Sequence, residues 1–213
     1  MLAPPITHVD LHTFSDEKVN LKKDDADKHR AKVRDLRKRL EKYIKEHPDC
    51  GLVKMLLSGS LAKGTALSKL NDIDVAIYVK EDGAPTAVKD LAGWLAERLR
   101  KTYPQMSFDQ IVVNEFSVTI KFMGAGLDVD IVPVYYAGLP DDKGHLVSRL
   151  TGELVLTSIP LHLKFICKRK NEQSKHFAQV VRLLKWWASE LKEADASFRF
   201  KSFMIELICA DLA

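Results

Sequence analysis

The segment "DIDVAIYV", residues 72–79, most constrains the fold, because it is apolar and yet begins with two aspartates. Aspartate is depleted in β-strands, and residues i and i+2 of a strand face the same side. A strand here would aim the carboxylates of Asp72 and Asp74 in one direction, about 7 Å apart. Like charges so placed repel each other, so we expect a cation between them. Hard oxygen ligands select Mg²⁺ or Mn²⁺, and Mg²⁺ usually completes its shell with phosphate oxygens and water.

A glycine–serine turn precedes this strand. "LVKMLLSG", residues 52–59, predicts a buried strand, and the next residues predict a turn with a short helix. Gly59 permits close approach of a ligand to the backbone, while the Ser60 hydroxyl and the following amides open a helix whose positive end favours an anion. Lys63 lies in the same turn and is either within reach of phosphate or a solvated lysine. The pattern predicts a phosphate site beside the carboxylates.

A second apolar strand is predicted in "GLDVDIVPVYY", residues 126–136, where Asp128 and Asp130 share a face and Pro133 is expected to halt the strand. We select Asp130 as a third metal ligand because Ile-Val-Pro follows it directly; Asp128 would flank it. Two metal ions about 4 Å apart would activate an attacking hydroxyl and stabilise a leaving pyrophosphate.

Hydrophobic periodicity predicts the other elements of an α+β fold. One long charged helix is expected over residues 15–47, a helix over 85–103 and two strands within 108–123. From about residue 155 the pattern is helical, and the second of three helices carries a predicted apolar stripe of Phe177, Val180, Leu184, Trp187 and Leu191. We therefore predict a mixed-sheet core of residues 1–155 and a helical lobe of residues 156–213. The last helix has no stop signal, so we expect this lobe to be incomplete.

Composition and charge narrow the class of protein. The 213 residues carry a formal net charge of +4, which suits anionic ligands but is far from the basicity of a nucleic-acid packing protein. The long helix mixes acidic with basic residues, so a solvated surface is favoured over a nucleic-acid-binding one. The three scattered cysteines indicate reduced thiols and no zinc site. Without a membrane-spanning run or a signal pattern, a cytoplasmic location is expected.

Taken in order, Gly59-Ser60, Asp72-x-Asp74 and Asp130 resemble the signature of polymerase-β-type nucleotidyltransferases. The later segments "TSIPLHLKFICKRKNEQSKHFAQVVRLLKWW" and "FKSFMIELI" resemble the bacterial CD-NTases, which make cyclic di- or oligonucleotide second messengers in anti-phage CBASS defence. The likeness to 2′-5′ oligoadenylate synthetases, cyclic GMP–AMP synthase and archaeal CCA-adding enzymes is more distant. The resemblance spans roughly residues 50–213.

The resemblance implies a Mg²⁺-dependent enzyme that joins NTPs into a cyclic product and releases pyrophosphate. It implies metal binding and catalysis by Asp72, Asp74 and Asp130. It also implies nucleotide binding by Gly59, Ser60, Lys185, Ser202 and Phe203. In the family a lysine like Lys185 and a serine like Ser202 contact the donor triphosphate, and the ring in the place of Phe203, usually a tyrosine, lies near a base. Plainer alternatives are a solvated helix face for Lys185 and a helix N-cap for Ser202.

Two other functions stay open from the sequence. One is a nucleotidyltransferase that tails RNA, as CCA-adding and poly(A) enzymes do, or that transfers AMP to a protein. The other is a catalytically silent nucleotide-binding module. Expected partners are NTPs, ATP among them, and regulatory proteins of the same defence system, with no membrane partner. Nucleic acid is not expected to be an obligate activator.

Overall fold

The computed structural model describes residues 5–47, 51–70, 72–123, 127–173 and 176–213. These residues form a mixed sheet with flanking helices, which confirms the predicted α+β class. The strands are β1 Leu52–Leu57, β2 Asp72–Lys80, β3 Ile111–Val113, β4 Val118–Phe122, β5 Leu127–Tyr136, β6 Gly144–Val147 and β7 Leu154–Thr157. The helices are α1 His8–Phe14, α2 Lys23–Glu46, α3 Gly59–Lys63, α4 Leu91–Thr102, α5 Ile159–Glu172, α6 Phe177–Ala194 and α7 Ser202–Leu212.

The strand order is β1-β2-β5-β4-β3, with β2 and β5 parallel and their other neighbours antiparallel. β6 pairs with the end of β5, and β7 pairs with β6, so the sheet continues through Thr157. Strands β6 and β7 are absent from the prediction, because each has only four residues and β7 is largely exposed. Segments this short carry too little periodicity to be recognised.

Strand β2 has one face toward the hydrophobic core and one toward the opposite side of the sheet. Ile73, Val75 and Ile77 are buried in a hydrophobic cluster that includes residues of α2 and α4. Asp72 and Asp74 alternate with them and therefore face the other side. The apolar positions thus orient the strand, and this orientation directs both carboxylates away from the core.

The prediction of one helix over residues 15–47 is wrong in its first part. Helix α1 and a π-helical turn, Ser15–Val19, come first, and α2 begins only at Lys23. The chain leaves the helix because Asn20 forms a β-bridge with Leu67 and the Ser68 amide donates to the Val19 carbonyl, at 2.8 Å. A long-range backbone pairing overrides the local helical preference. The helix predicted over 85–103 is also shorter, since α4 starts at Leu91.

The prediction that Pro133 halts its strand is wrong, because β5 continues to Tyr136. Strand β4 pairs with β5 only as far as Ile131, and β6 pairs with it at Tyr135. Pro133 therefore has β2 as its one neighbouring strand within the described sheet, opposite Ile77. A residue without an N–H is tolerated where a strand has an open side.

The apolar stripe predicted for α6 is wrong as a description of its buried face. Val180, Leu184 and Trp187 are 45%, 40% and 51% exposed. The buried side chains are Phe177, Val181, Lys185 and Ala188. Periodicity selects the most apolar face, but here a lysine is buried in the middle of the packed face. None of the helices in the described ranges is long and apolar enough to cross a membrane.

Candidate functional site

A cleft of about 680 Å³ lies on the aspartate face of β2. The turn at α3 and the helices α5, α6 and α7 complete its walls. It collects most of the site residues predicted from the sequence: Gly59, Ser60, Asp72, Asp74, Lys185, Ser202 and Phe203. Asp130 does not line this cleft but stands on the adjacent strand. Segments far apart in the chain therefore meet at one place, while the roles of these residues stay predictions.

Four carboxylates form two cross-strand pairs on the neighbouring strands β2 and β5. In the parallel pair β2–β5, Asp72 is opposite Asp128 and Asp74 is opposite Asp130. Opposed residues of paired strands face the same side of a sheet, so all four side chains start from one surface. The parallel register, which the sequence does not reveal, is what brings Asp130 beside Asp74.

The crowding of these carboxylates disturbs their acidity. Burial raises the pKa of Asp74 to about 6, with further upward contributions from Asp72 and Asp130, while Lys63 and Lys185 act in the opposite direction. Burial and the charge of Asp130 also raise the pKa of Asp72. Each group therefore resists ionisation because its neighbours are negative and water is partly excluded. A cation at this place would relieve both effects.

The carboxylate oxygens have the chemistry that Mg²⁺ or Mn²⁺ requires, but they do not form a complete cage. Across the described ranges, no three His, Cys, Asp or Glu side chains converge closely enough to hold an ion. Asp130 accepts a hydrogen bond on Oδ1 from the Thr119 hydroxyl, and the Asp74 carboxylate lies against Gly59. The donor set thus fits a cation that takes its remaining ligands from phosphate and water.

Gly59 is required by two independent features of the turn. Its φ is +63°, in the left-handed region that glycine adopts readily. A Cβ added here would lie 1.7 Å from Asp74 Oδ2. The Ser58 amide also donates to the Asp74 carbonyl at 2.9 Å. The Gly-Ser turn therefore packs directly against the Asp74 carboxylate.

A buried ion network forms part of the cleft wall. Glu206 of α7, 1% exposed, pairs with Lys63, and its Oε1 lies 3.3 Å from Lys185 Nζ. The Thr65 hydroxyl donates to Glu206 Oε1 at 2.6 Å. Burial raises the pKa of Glu206, but the charges of Lys185 and Lys63 outweigh it and the net shift is downward. Burial lowers the pKa of Lys185, partly offset by Glu206.

The plainer alternatives for three of the predicted residues are wrong. Lys63 and Lys185 are 5% and 6% exposed, so neither belongs to a solvated face. Ser202 is the first residue of α7, whose N-cap is Lys201, and within the part of the chain that the structure describes no side chain caps this helix. Phe203 is 46% exposed, and its ring centroid lies 4.4 Å from that of His162, a further lining residue.

Sequence reasoning missed Glu206 altogether. The signal is its position as the one charged residue in the apolar stretch "FMIELICA", residues 203–210. A carboxylate in an otherwise apolar stretch needs a buried partner, because an unpaired charge is costly to bury. Its partner Lys63 stands 143 positions earlier in the chain, and no local pattern connects the two.

Comparison with known proteins gives consistent matches. A family model described as nucleotidyltransferase domain matches residues 33–182. The chain is 54% identical over 207 residues to cyclic AMP-AMP-AMP synthase of Escherichia coli strain MS 115-1, covering 97% of this chain and 64% of that protein. It is 32% identical over 211 residues to the CBASS oligonucleotide cyclase CdnC of Escherichia coli strain KTE188, with 97% and 65% covered.

Solved structures agree with these sequence matches. The structure of E. coli MS115-1 CdnC with ATP matches at a TM-score of 0.87 and 54% identity, covering 97% of this chain and 65% of that one. The CdnC:HORMA-deltaN complex from the same strain matches at 0.86 and 53%, with 97% and 64% covered. The chain thus spans slightly less than two thirds of the length of these relatives.

Proposed function

The chain belongs to the nucleotidyltransferase domain family, and we propose that it joins nucleoside triphosphates into a cyclic oligonucleotide with release of pyrophosphate. The observation that carries this proposal is the single cleft in which paired carboxylates, the Gly-Ser turn and Lys185 meet. The names of the relatives, a cyclic AMP-AMP-AMP synthase and a CBASS oligonucleotide cyclase, support ATP as substrate and a role in bacterial anti-phage defence.

Metal binding is assigned to the carboxylates. Nucleotidyltransferases generally use divalent metal ions, and Asp72, Asp74 and Asp130 would hold Mg²⁺ here. When bound, such ions activate the attacking hydroxyl and neutralise charge on the leaving pyrophosphate. The upward pKa shifts of Asp72 and Asp74 support this assignment, because burial and the neighbouring carboxylates that cause them are features that a bound cation would offset.

The remaining side chains bind and orient the nucleotide. Ser60, Lys185 and Ser202 line the same cleft and would contact the triphosphate there. Helix α3 has only five residues, so its hydroxyl and amide donors count for more than a helix dipole. Phe203 gives an exposed ring on which a base would stack.

The chemical step is a substitution at phosphorus. A ribose hydroxyl oxygen forms a bond to the α-phosphorus of an NTP, and the bond from that phosphorus to the bridging oxygen of the β-phosphate breaks. Pyrophosphate leaves, and the hydroxyl proton passes to solvent. After repetition, the terminal ribose hydroxyl attacks the α-phosphorus of the first nucleotide, which still carries its triphosphate; the bond to its β-phosphate breaks, a last pyrophosphate leaves and the ring closes.

We propose the division of the chain into a catalytic core, residues 1–155, and a helical lobe, residues 156–213, with the nucleotide between them. Strand β7 extends to Thr157, so the sheet continues two residues beyond the proposed boundary at residue 155. A regulatory protein partner is proposed as well, and the CdnC:HORMA-deltaN complex of a relative supports it.

The test is to identify the product. The chain is incubated with ATP and Mg²⁺, and products are treated with phosphatase and analysed by mass spectrometry, without RNA and then with it. A phosphatase-resistant cyclic oligonucleotide is expected without RNA, and none from the Asp72→Asn, Asp74→Asn variant. Extension of added RNA, or AMP attached to protein, would favour the tailing or AMP-transferring alternatives. ATP bound equally with and without Mg²⁺, and no product, would indicate a silent module.

A further inference from the structure

Three basic side chains of the helical lobe form hydrogen bonds at the C-terminal end of α3. Each donates to a backbone carbonyl, and the three carbonyls are consecutive in the chain. The contacts are Lys170 Nζ to Lys63 O at 3.2 Å, Arg182 Nη1 to Gly64 O at 2.9 Å and Lys185 Nζ to Thr65 O at 3.0 Å. Cations stabilise a helix C-terminus, where carbonyls lack intrahelical partners. The Gly-Ser turn is thus fastened at its far end to α5 and α6.

Glu206 joins this arrangement from the third helix of the lobe. Both of its carboxylate oxygens are engaged: Oε2 by Lys63, and Oε1 by the Thr65 hydroxyl and Lys185. These partners come from two walls of the cleft, the α3 turn and α6. Because both of its oxygens are engaged, the Glu206 carboxylate has one orientation. It therefore fixes the positions of both ammonium groups.

The charges explain why this carboxylate matters for an anionic ligand. Two ammonium groups that share one small buried region repel each other, and burial adds to the cost. Glu206 offsets one positive charge and leaves the group with a net charge of +1. Both lysines and Glu206 line the same cleft as Ser60 and Ser202. The carboxylate therefore allows the two lysine ammonium groups to remain close together beside the Gly-Ser turn.

We propose that Glu206 is a positioning residue, whose carboxylate holds Lys185 and Lys63 in the cleft in the orientation that receives the triphosphate. This inference rests on the proposed function, since it concerns the same nucleotide site. Glu206 contacts the lysines and Thr65 and acts on the nucleotide through them. It is not a metal ligand, because both oxygens are occupied within the buried network.

The experiment is a double-mutant cycle on nucleotide affinity. Binding of α,β-methylene-ATP with Mg²⁺ is measured by calorimetry for wild type, Glu206→Gln, Lys185→Ala and the double variant. Glutamine keeps the size and removes the charge. We expect Glu206→Gln to weaken binding about tenfold when Lys185 is present. In the Lys185→Ala background the same substitution should weaken binding about threefold or less. The residual effect passes through Lys63.

Two further variants complete the design. Glu172→Gln removes an exposed carboxylate of α5 that pairs with Arg169, and should leave affinity unchanged. Thr65→Val removes the hydroxyl that donates to Glu206 at nearly constant volume, and should weaken binding in the same direction by a smaller factor. If Glu206→Gln does not fold, as judged by circular dichroism, the same cycle is run with Thr65→Val.

Two results would overturn the inference. One is equal weakening by Glu206→Gln, or by its substitute, with and without Lys185, which would show that the carboxylate acts on the fold as a whole. The other is unchanged affinity in these variants. If wild type itself fails to bind α,β-methylene-ATP with Mg²⁺, the proposed function fails, and this inference fails with it. Binding by wild type with an additive cycle rejects the positioning role alone.

Discussion

At the scale of single residues, Asp74 shows the conflict between function and stability most clearly. Its carboxylate is partly buried, faces other carboxylates and is packed against Gly59. A protein selected for stability alone would have no reason to place acids in this way. The arrangement becomes reasonable where a cation and a phosphate are to be bound, because active sites commonly retain groups that destabilise the free protein.

Replacing both acids tests this conflict. Asp72→Asn with Asp74→Asn should abolish turnover and, in the presence of EDTA, raise the melting temperature by about 2–6 °C near pH 7. Relief of the repulsion is worth about 1–2 kcal/mol after allowance for solvent screening. Asp82→Asn, at an exposed position after β2, is the control and should change neither. Continued pyrophosphate release by the double variant would reject the metal assignment.

The pH dependence of that gain follows from the raised pKa. Folded Asp74 binds its proton up to about pH 6, whereas in the unfolded chain the value is near 3.8. Between these values the folded state binds more protons, so this group's contribution to stability falls as pH rises through the window. The gain of the variant should therefore be small at pH 4 and reach its full size above about pH 6. Thermal melts over pH 4–8 measure this.

Lys185 and Asp130 should differ in the kinetic constant that each affects. Lys185→Ala should raise KM for NTP about ten- to a hundredfold and change kcat less, because the proposed contact with the β- or γ-phosphate would be made both before and during the reaction. Asp130→Ala should instead lower kcat, because the metal ion that we propose it holds would act mainly in the transition state. Lys192→Ala, an exposed lysine of α6, is the control. Wild-type KM in Lys185→Ala would assign that lysine to the fold alone.

At the scale of elements, the short helix α3 carries the Gly-Ser turn of the site. It begins at a glycine that fits over Asp74 and ends in carbonyls held by the helical lobe. Five residues are too few for a helix to be stable by itself. Its geometry is therefore imposed by tertiary contacts at both ends, which is why the turn and the lobe should respond together to substitution.

A pair of glycine substitutions tests the turn. Gly59→Ala should destabilise the protein by more than about 2 kcal/mol and abolish nucleotide binding, because the new Cβ meets the Asp74 carboxylate and φ is positive. Gly93→Ala, within α4, is the same substitution, but its Cβ would meet no neighbouring atom of the described residues within 4 Å, apart from the helix's own backbone. It should stabilise by up to about 1 kcal/mol. Denaturant unfolding compares them, and equal effects would contradict this account of the turn.

At the scale of the whole molecule, α2 carries ten Lys or Arg and six Asp or Glu residues, so its positive charge is partly offset within the helix. Basic residues pair with acids three or four positions away: Lys28 with Asp25, Arg30 with Asp27 and Arg39 with Asp35. These exposed pairs contribute little to stability. They do, however, dilute the positive potential along the longest helix, which would otherwise suit a nucleic-acid backbone.

We therefore predict that double-stranded DNA or RNA is not an obligate activator. Product formation from ATP should change less than about threefold when duplex nucleic acid is added at low salt. Quantitative mass spectrometry of the product, at low and high salt, measures this. A rise of several orders of magnitude that disappears at high salt would contradict the prediction.

The sequence by itself determined the α+β class, the strand that carries Asp72 and Asp74, the Gly-Ser turn and the three last helices, because each of these follows from local periodicity or turn chemistry. Only the tertiary structure decided which faces meet. The parallel register placed Asp130 beside Asp74, the Asn20–Leu67 bridge interrupted the first helix, and the ion pair with Glu206 let α6 bury a lysine. The physical reason is that such pairings join residues distant in the chain, and local patterns contain no record of them.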